Sequence, residues 1–183
     1  KKIANEGFQQ VRLAASARLL RSDIDACLEC GIREIQVSTP FNGLTLQYWL
    51  KMTKEQVLEK TTDCVEYAKK HGLTVDFVLE DCSRTPIEDI LKIFETALRA
   101  GAERLVIADT VGFLRPLSTR YLVSHVREGL SKLTNKNACL SVHCYNDFGL
   151  ATANTLAAVE EGVSYLHTCI AGFGERAGAA PLE

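Results

Sequence analysis

The chain has 183 residues, 46% of them apolar and 24% charged. That is the make-up of an ordinary globular protein, not of a disordered, collagenous or low-complexity chain. Lys and Arg number 21 against 23 Asp and Glu, a formal charge of −2, so no basic excess exists to neutralise phosphates and nucleic acid is not an expected partner. No apolar run approaches ~18 residues, so no membrane-spanning helix is expected, and a prior of roughly 150 residues per domain predicts one domain.

In chain order, Lys1–Glu6 holds neither an apolar stretch nor a Met and reads as the end of a helix rather than a signal peptide. Val11–Ala17 predicts a first strand, and Ser22–Cys30 a helix stopped by Gly31. Glu34–Ser38 predicts the second strand. Thr53-Lys54-Glu55-Gln56 has the form of a capping box, opening a helix to about His71 with Gly72 as its stop. After a strand at Thr74–Leu79, Thr85-Pro86-Ile87-Glu88 predicts a second capped start, with Pro at the first helical position and an end at Gly101. The rest predicts strands at Arg104–Ala108, Ala138–His143 and Tyr165–Ile170, with helices at Leu117–Leu133 and Leu150–Glu161. Ala180–Glu183 reads as the first turn of one more helix.

The strands read as near-continuous apolar runs, the mark of parallel strands covered on both faces. Repeated βα units leave two architectures, a doubly wound sheet and a TIM (β/α)8 barrel. Eight units need roughly 250 residues. The expectation is an α/β fold: an incomplete barrel of six strands lacking its first two, residues 1–183 being one partial catalytic domain cut from a longer chain at both ends.

Seven cysteines, an odd number, lie mostly within apolar periodic stretches and read as small buried hydrophobes of a reducing cytoplasm. Cys27-x-x-Cys30 falls inside a helix without a second such pair, so it does not read as a metal or redox site. In parallel α/β folds the functional groups lie at the C-terminal ends of strands. Those positions hold Arg18, Ser38-Thr39, Glu80-Asp81, Asp109-Thr110, His143-Cys144-Tyr145-Asn146-Asp147 and the loop Gly172 to Gly178. Ionisable residues thus recur on one rim. His143 is the metal-ligand candidate, because a neutral imidazole suits a divalent ion. His167 reads as an ordinary strand histidine, His71 and His125 as surface helix residues. The Gly172–Gly178 loop misses the dinucleotide spacing and reads only as backbone that can approach a ligand.

His143-Cys144-Tyr145-Asn146-Asp147-Phe148-Gly149-Leu150-Ala151-Thr152-Ala153-Asn154 resembles the H-x-H-N-D-x-G-x-A-x-A-N signature of 2-isopropylmalate and homocitrate synthases. Gly174-Glu175-Arg176-Ala177-Gly178 resembles their GERAG segment, Asp109-Thr110-Val111-Gly112 with Pro116 their DTVG-x3-P, and Glu80-Asp81-Cys82-Ser83-Arg84 their ED-A-[ST/G]-R stretch. Ala17-Arg18 followed by Asp23-Ile24-Asp25 is similar to another segment, so the likeness runs over nearly the whole chain. It implies a (β/α)8 barrel of the HMG-CoA-lyase-like superfamily. Such an enzyme holds a divalent metal (Mg, Mn or Zn) and joins acetyl-CoA to a 2-oxo acid, as a cytoplasmic homodimer in amino-acid biosynthesis.

Carried over by position, the resemblance makes His143 a metal ligand and gives Glu80 the acid–base or side-chain-facing role. Thr110 would bind the 2-oxo acid, with Arg18 and Ser38 lining the same mouth. Four positions depart from the pattern. Tyr145 takes the place of the second ligand histidine and Ala179 that of the Asn after GERAG. Ala171-Gly172 replaces Asn-Gly, and Asn42-Gly43-Leu44-Thr45 replaces S-D-x-H. A phenol, with pKa about 10, is a poor divalent ligand at neutral pH. Two other functions therefore stand beside the synthase: a metal-dependent aldolase or lyase of the same superfamily, and a non-catalytic homologue with a degraded metal site.

Overall fold

The computed structural model describes residues 1–134 and 138–183. Six parallel strands pair in sequence order: β1 (Ala14–Arg18), β2 (Glu34–Pro40), β3 (Thr74–Glu80), β4 (Arg104–Asp109), β5 (Cys139–Cys144) and β6 (Tyr165–His167). A doubly wound sheet reverses its strand order at a switch point. No reversal occurs here, so the sheet is a wedge of (β/α) barrel. The helices are α1 (Arg21–Glu29), the single turn α2 (Gly43–Thr45), α3 (Lys54–Lys70), α4 (Ile87–Ala100), α5 (Pro116–Leu133) and α6 (Ala151–Glu160). No helix among the described residues is long and apolar enough to cross a membrane.

The strands do not read as two-sided apolar runs once their register is known. In β2 the buried Ile35 and Val37 alternate with Glu34, Gln36 and Ser38, and β3 and β5 repeat the pattern. Alternate residues of a strand face opposite ways, so one face packs under the helices and the other is a polar interior. α4 shows the outer packing: Ile90, Ile93, Phe94 and Ala97 recur at helical spacing and are fully buried, and Phe94 meets Phe77 of β3 edge-on at 6.3 Å. At the N-terminal end of the inner face, buried Arg104 donates to Asp76 at 2.6 Å and to Glu34, so these charges are paired, as burial requires.

Several boundaries differ from the expectation. β1 begins at Ala14 rather than Val11, which is exposed, and β6 ends at His167 because Cys169 turns to bridge with Pro181. Residues 180–183 are therefore not a helical turn: Leu182 donates its N–H to Cys169. Residues 3–6 form only a short 3-10 turn. The capping box of Thr53 with Gln56 forms as read. Thr85, in contrast, does not cap α4: Pro86 holds the cap position, and the Thr85 hydroxyl donates to the Asp81 carbonyl at 2.9 Å. The 42–50 segment folds where no element was expected. Asn42 caps α2 by accepting the Thr45 N–H at 3.1 Å, and a wide turn follows over Leu46–Leu50.

Candidate functional site

The C-terminal ends of the strands enclose an open cleft of about 620 Å³. Ser38, Glu80, Thr110, His143 and Tyr145 all line it, each two residues on from another inward-facing position of its chain segment. Gln36, His167, Trp49, Arg84 and Glu175 also line it. Gln36 and His167 were not read as site residues. The period-2 alternation of a strand with one polar face is the signal that marks both.

Arg18 does not join the cleft. It ends an edge strand, and the carboxylate of Asp23 in the first turn of α1 takes its guanidinium in two hydrogen bonds, 2.7 and 3.0 Å. The Arg18 backbone N–H donates to the same carboxylate at 3.2 Å. These bonds hold the Asp23 carboxyl below the usual range. The opposite charge of Asp23, five residues on, is what turns Arg18 away.

Thr110 is oriented by the backbone. Its Oγ1 accepts the Asp81 N–H at 2.7 Å, which leaves the hydroxyl proton to be donated elsewhere. Asp81 occupies the left-handed region (φ 55°) and is fixed on three sides. Asn42 Nδ2 donates to it at 2.6 Å, and Arg84 forks it at 2.8 and 2.7 Å. Among the described residues the Glu80 carboxylate makes no hydrogen bond or ion pair and faces the cleft unengaged.

His143 and His167 are register partners on β5 and β6, and their Nδ1 atoms lie 3.3 Å apart. His167 Nε2 is 3.4 Å from Gln36 Nε2. Burial disfavours charge on both rings. It holds His143 below the usual imidazole range against the opposing pull of Glu175, and it pushes His167 down to about 4, helped by His143 and Arg104. His143 Nε2 is fully buried and has no hydrogen-bond partner.

Tyr145 continues the inner face beyond β5. Its ring contacts His143 at 4.6 Å, and the Arg176 guanidinium lies over it at 4.6 Å. Its hydroxyl donates to Glu175 Oε2 at 3.0 Å. Burial, then that bond, push the phenol up to about 12. Tyr145 also pairs with Ala179 in an antiparallel bridge, so two of the positions that depart from the synthase pattern are direct neighbours. Arg176 locks the rim: it forks Asp147 at 2.8 Å twice and donates to the Thr110 carbonyl at 2.6 Å. The loop needs its glycines here. A Cβ on Gly178 (φ 92°) would stand 2.1 Å from the Gly172 carbonyl oxygen, and one on Gly112 would stand 2.4 Å from Asp147 Oδ2.

Known proteins resemble this chain along its full length. The HMGL-like family model matches residues 1–183. A 2-isopropylmalate synthase of Sulfurisphaera tokodaii is 44% identical over the whole chain, and the homocitrate synthase AksA of Methanopyrus kandleri 42%. The (R)-citramalate synthase CimA of Methanocaldococcus jannaschii is 40% identical, again over the whole chain. The chain spans less than half of these relatives: 46%, 44% and 36% of their lengths. Among solved structures, hydroxymethylglutaryl-CoA lyase from Pseudomonas aeruginosa superposes with a TM-score of 0.83 at 21% identity, covering 99% of this chain and 63% of that one. That likeness shows the fold, a partial TIM barrel.

Proposed function

Because the chain belongs to the HMGL-like family, we propose that it forms the catalytic cleft of a synthase that condenses acetyl-CoA with a 2-oxo acid. The product would be of the 2-isopropylmalate, citramalate or homocitrate type, as the names of its relatives indicate. The observation that carries this reading is the gathering of Ser38, Glu80, Thr110 and His143 on one polar mouth. Catalytic groups of such barrels belong at that end.

The chemistry needs a base to take a proton from the acetyl methyl group. The enolate carbon then bonds to the ketone carbon, the alkoxide gains a proton, and water hydrolyses the thioester. Glu80, an unengaged carboxylate at the mouth, is the proposed base. Thr110 has a proton to donate to the carboxylate of the 2-oxo acid. Ser38 supplies a further hydroxyl from β2, the strand beside the one that carries Glu80.

A divalent ion is the group that polarises the ketone in the synthase pattern, and the residues present do not fit it. His143 offers a single available donor, its buried and unpartnered Nε2, while its other nitrogen stands against His167. Tyr145 is a protonated phenol whose proton is given to Glu175. Ala179 has no side-chain donor atom. No group of three or more His, Cys, Asp or Glu among the described residues is placed to hold an ion. No step is therefore routed through a metal.

The test is release of free CoA by the intact protein, read with a thiol reagent, across a panel of 2-oxo acids. Pyruvate, 3-methyl-2-oxobutanoate and 2-oxoglutarate span small, branched and acidic side chains. One should drive CoA release, and Glu80→Gln should lower kcat by about 10²-fold or more. If no 2-oxo acid drives CoA release, the reading fails.

A further inference from the structure

The ketone of a 2-oxo acid becomes an alkoxide when the new carbon–carbon bond forms, and something must stabilise that oxygen. The misfit to a divalent ion leaves the question of which group does so. The cleft offers one side chain built for it.

Tyr145 lies two residues beyond His143 on the same face and lines the cleft between His143 and the GERAG-like loop. Its ring is held against the His143 imidazole and under the Arg176 guanidinium, each at 4.6 Å. Arg176 is itself pinned by two bonds to Asp147 and one to the Thr110 carbonyl, so the ring has a fixed orientation. The bridge partner Ala179 carries no polar side-chain atom. Among the described residues the hydroxyl's hydrogen-bond partner is Glu175 alone, a residue at the open edge of the site, across a 3.0 Å bond.

Resting on the condensation reading above, we infer that Tyr145 is the hydrogen-bond donor to the ketone oxygen of the 2-oxo acid, and that this protein binds its 2-oxo acid without a divalent ion. The phenol turns its proton from Glu175 to the ketone oxygen as substrate enters. As the enolate carbon bonds to the ketone carbon, the carbon–oxygen π pair moves onto oxygen, and the Tyr145 O–H stabilises the charge there. A neighbouring cation over the ring strengthens that O–H as a donor. A preorganised donor of this kind contributes on the order of 10²–10³ in rate.

The test separates binding from turnover. Binding of pyruvate, 3-methyl-2-oxobutanoate and 2-oxoglutarate to the intact protein is measured by calorimetry after exhaustive chelation, with and without added Mg²⁺, Mn²⁺ or Zn²⁺. The expected result is binding of at least one of these acids in chelator, unchanged by metal, and weakened about 10-fold or more by Tyr145→Phe. CoA release should persist in chelator and fall about 10²-fold in Tyr145→Phe with little change in the thermal midpoint, because only an exposed Glu175 loses its partner. Binding that requires metal, or that Tyr145→Phe leaves intact, overturns the inference while condensation itself stands. Absence of condensation with every acid overturns the functional reading instead. If Tyr145→Phe proves unstable, a metal requirement in the unmodified protein still overturns the inference.

Discussion

Ala171 gives a sharp test of how the rim loop is built. It has φ 52° and ψ 23°, inside the left-handed helical region, within the turn Ile170–Gly172 that leads into the GERAG-like loop. An L-residue with a Cβ pays about 1–2 kcal/mol to stay there. The synthase pattern has Asn at this position, and Asn is several-fold enriched in that region. A five-fold preference corresponds to RT ln 5, about 1 kcal/mol. Ala171 is exposed, so the longer side chain meets no packing obstacle. Ala171→Asn is therefore expected to stabilise the fold by about 0.5–1 kcal/mol. Ala171→Gly relieves the same strain but loses about 0.4–1 kcal/mol through the freer unfolded chain, so it too should stabilise, by up to about 1.6 kcal/mol. Ala171→Val should destabilise by more than about 1 kcal/mol, because a β-branched residue is a true outlier there. Urea titration of the four proteins at constant m reads these differences directly. Destabilisation by Asn or Gly, or stabilisation by Val, would refute the backbone reasoning.

The remaining expectations concern the metal corner, the thiols and the acid response. Tyr145→His with Ala179→Asn restores two donor side chains on bridged positions and should raise Mn²⁺ or Zn²⁺ affinity at least ~10-fold by titration calorimetry. Equal affinity in both proteins would show that other ligands are in use. Cys64 and Cys144, pushed up to about 11 by burial, and Cys82, pushed higher still, should resist a thiol reagent at pH 8 in the folded protein. Only Cys30, Cys139 and Cys169 are partly exposed, so fast labelling beyond these three would contradict the described core. Hydrogen bonds from Arg176 hold the Asp147 carboxyl below its ordinary value. Its contribution is thus complete above the unfolded value of about 3.9 and is lost as pH falls through the lowered one. The Arg176 Nε–H signal in NMR should stay protected at pH 5 and broaden only below about pH 4, whereas loss between pH 5 and 6 would remove Asp147 as its anchor.

The positions of β2 to β5 were legible because each carries β-branched residues between strong helix punctuation, as with the Thr53–Gln56 box and Gly72. What linear reading blurred was the second face. Gln36 and His167 look like isolated polar residues in apolar runs, yet alternation with Val37 and Leu166 places both in the interior. His167 acquires its meaning only from the register that sets it beside His143, and register is a property of two strands. Arg18 failed for the opposite reason. Its position on the strand end was right, but a charge five residues on, in the next helix, outcompetes an open cleft for its guanidinium. Thr85 lost its capping role because Asp81, in its left-handed conformation, presents its carbonyl to the hydroxyl first.

The departures from the synthase pattern also bear on whether this site is altered or decayed. Relaxed selection removes one partner of a polar contact at a time, and each loss leaves a buried group unsatisfied at about 1–3 kcal/mol. In this cleft one such group remains, His143 Nε2, while the substituted positions themselves are partnered. Asn42 stands at the first departure and makes two bonds, accepting from Thr45 and donating to Asp81. Asp81 is in turn forked by Arg84. Tyr145 stands at the second, and its hydroxyl has found Glu175 while its ring has found Arg176. Ala179, its bridge partner, exchanges a polar side chain for one with no hydrogen-bonding demand, so nothing there is orphaned. Of the cleft-lining side chains, only His143 keeps a buried atom without a partner. A site whose substitutions arrive with their own partners has been rebuilt around a different set of contacts. That favours changed chemistry at the ketone oxygen over a barrel that has lost its reaction.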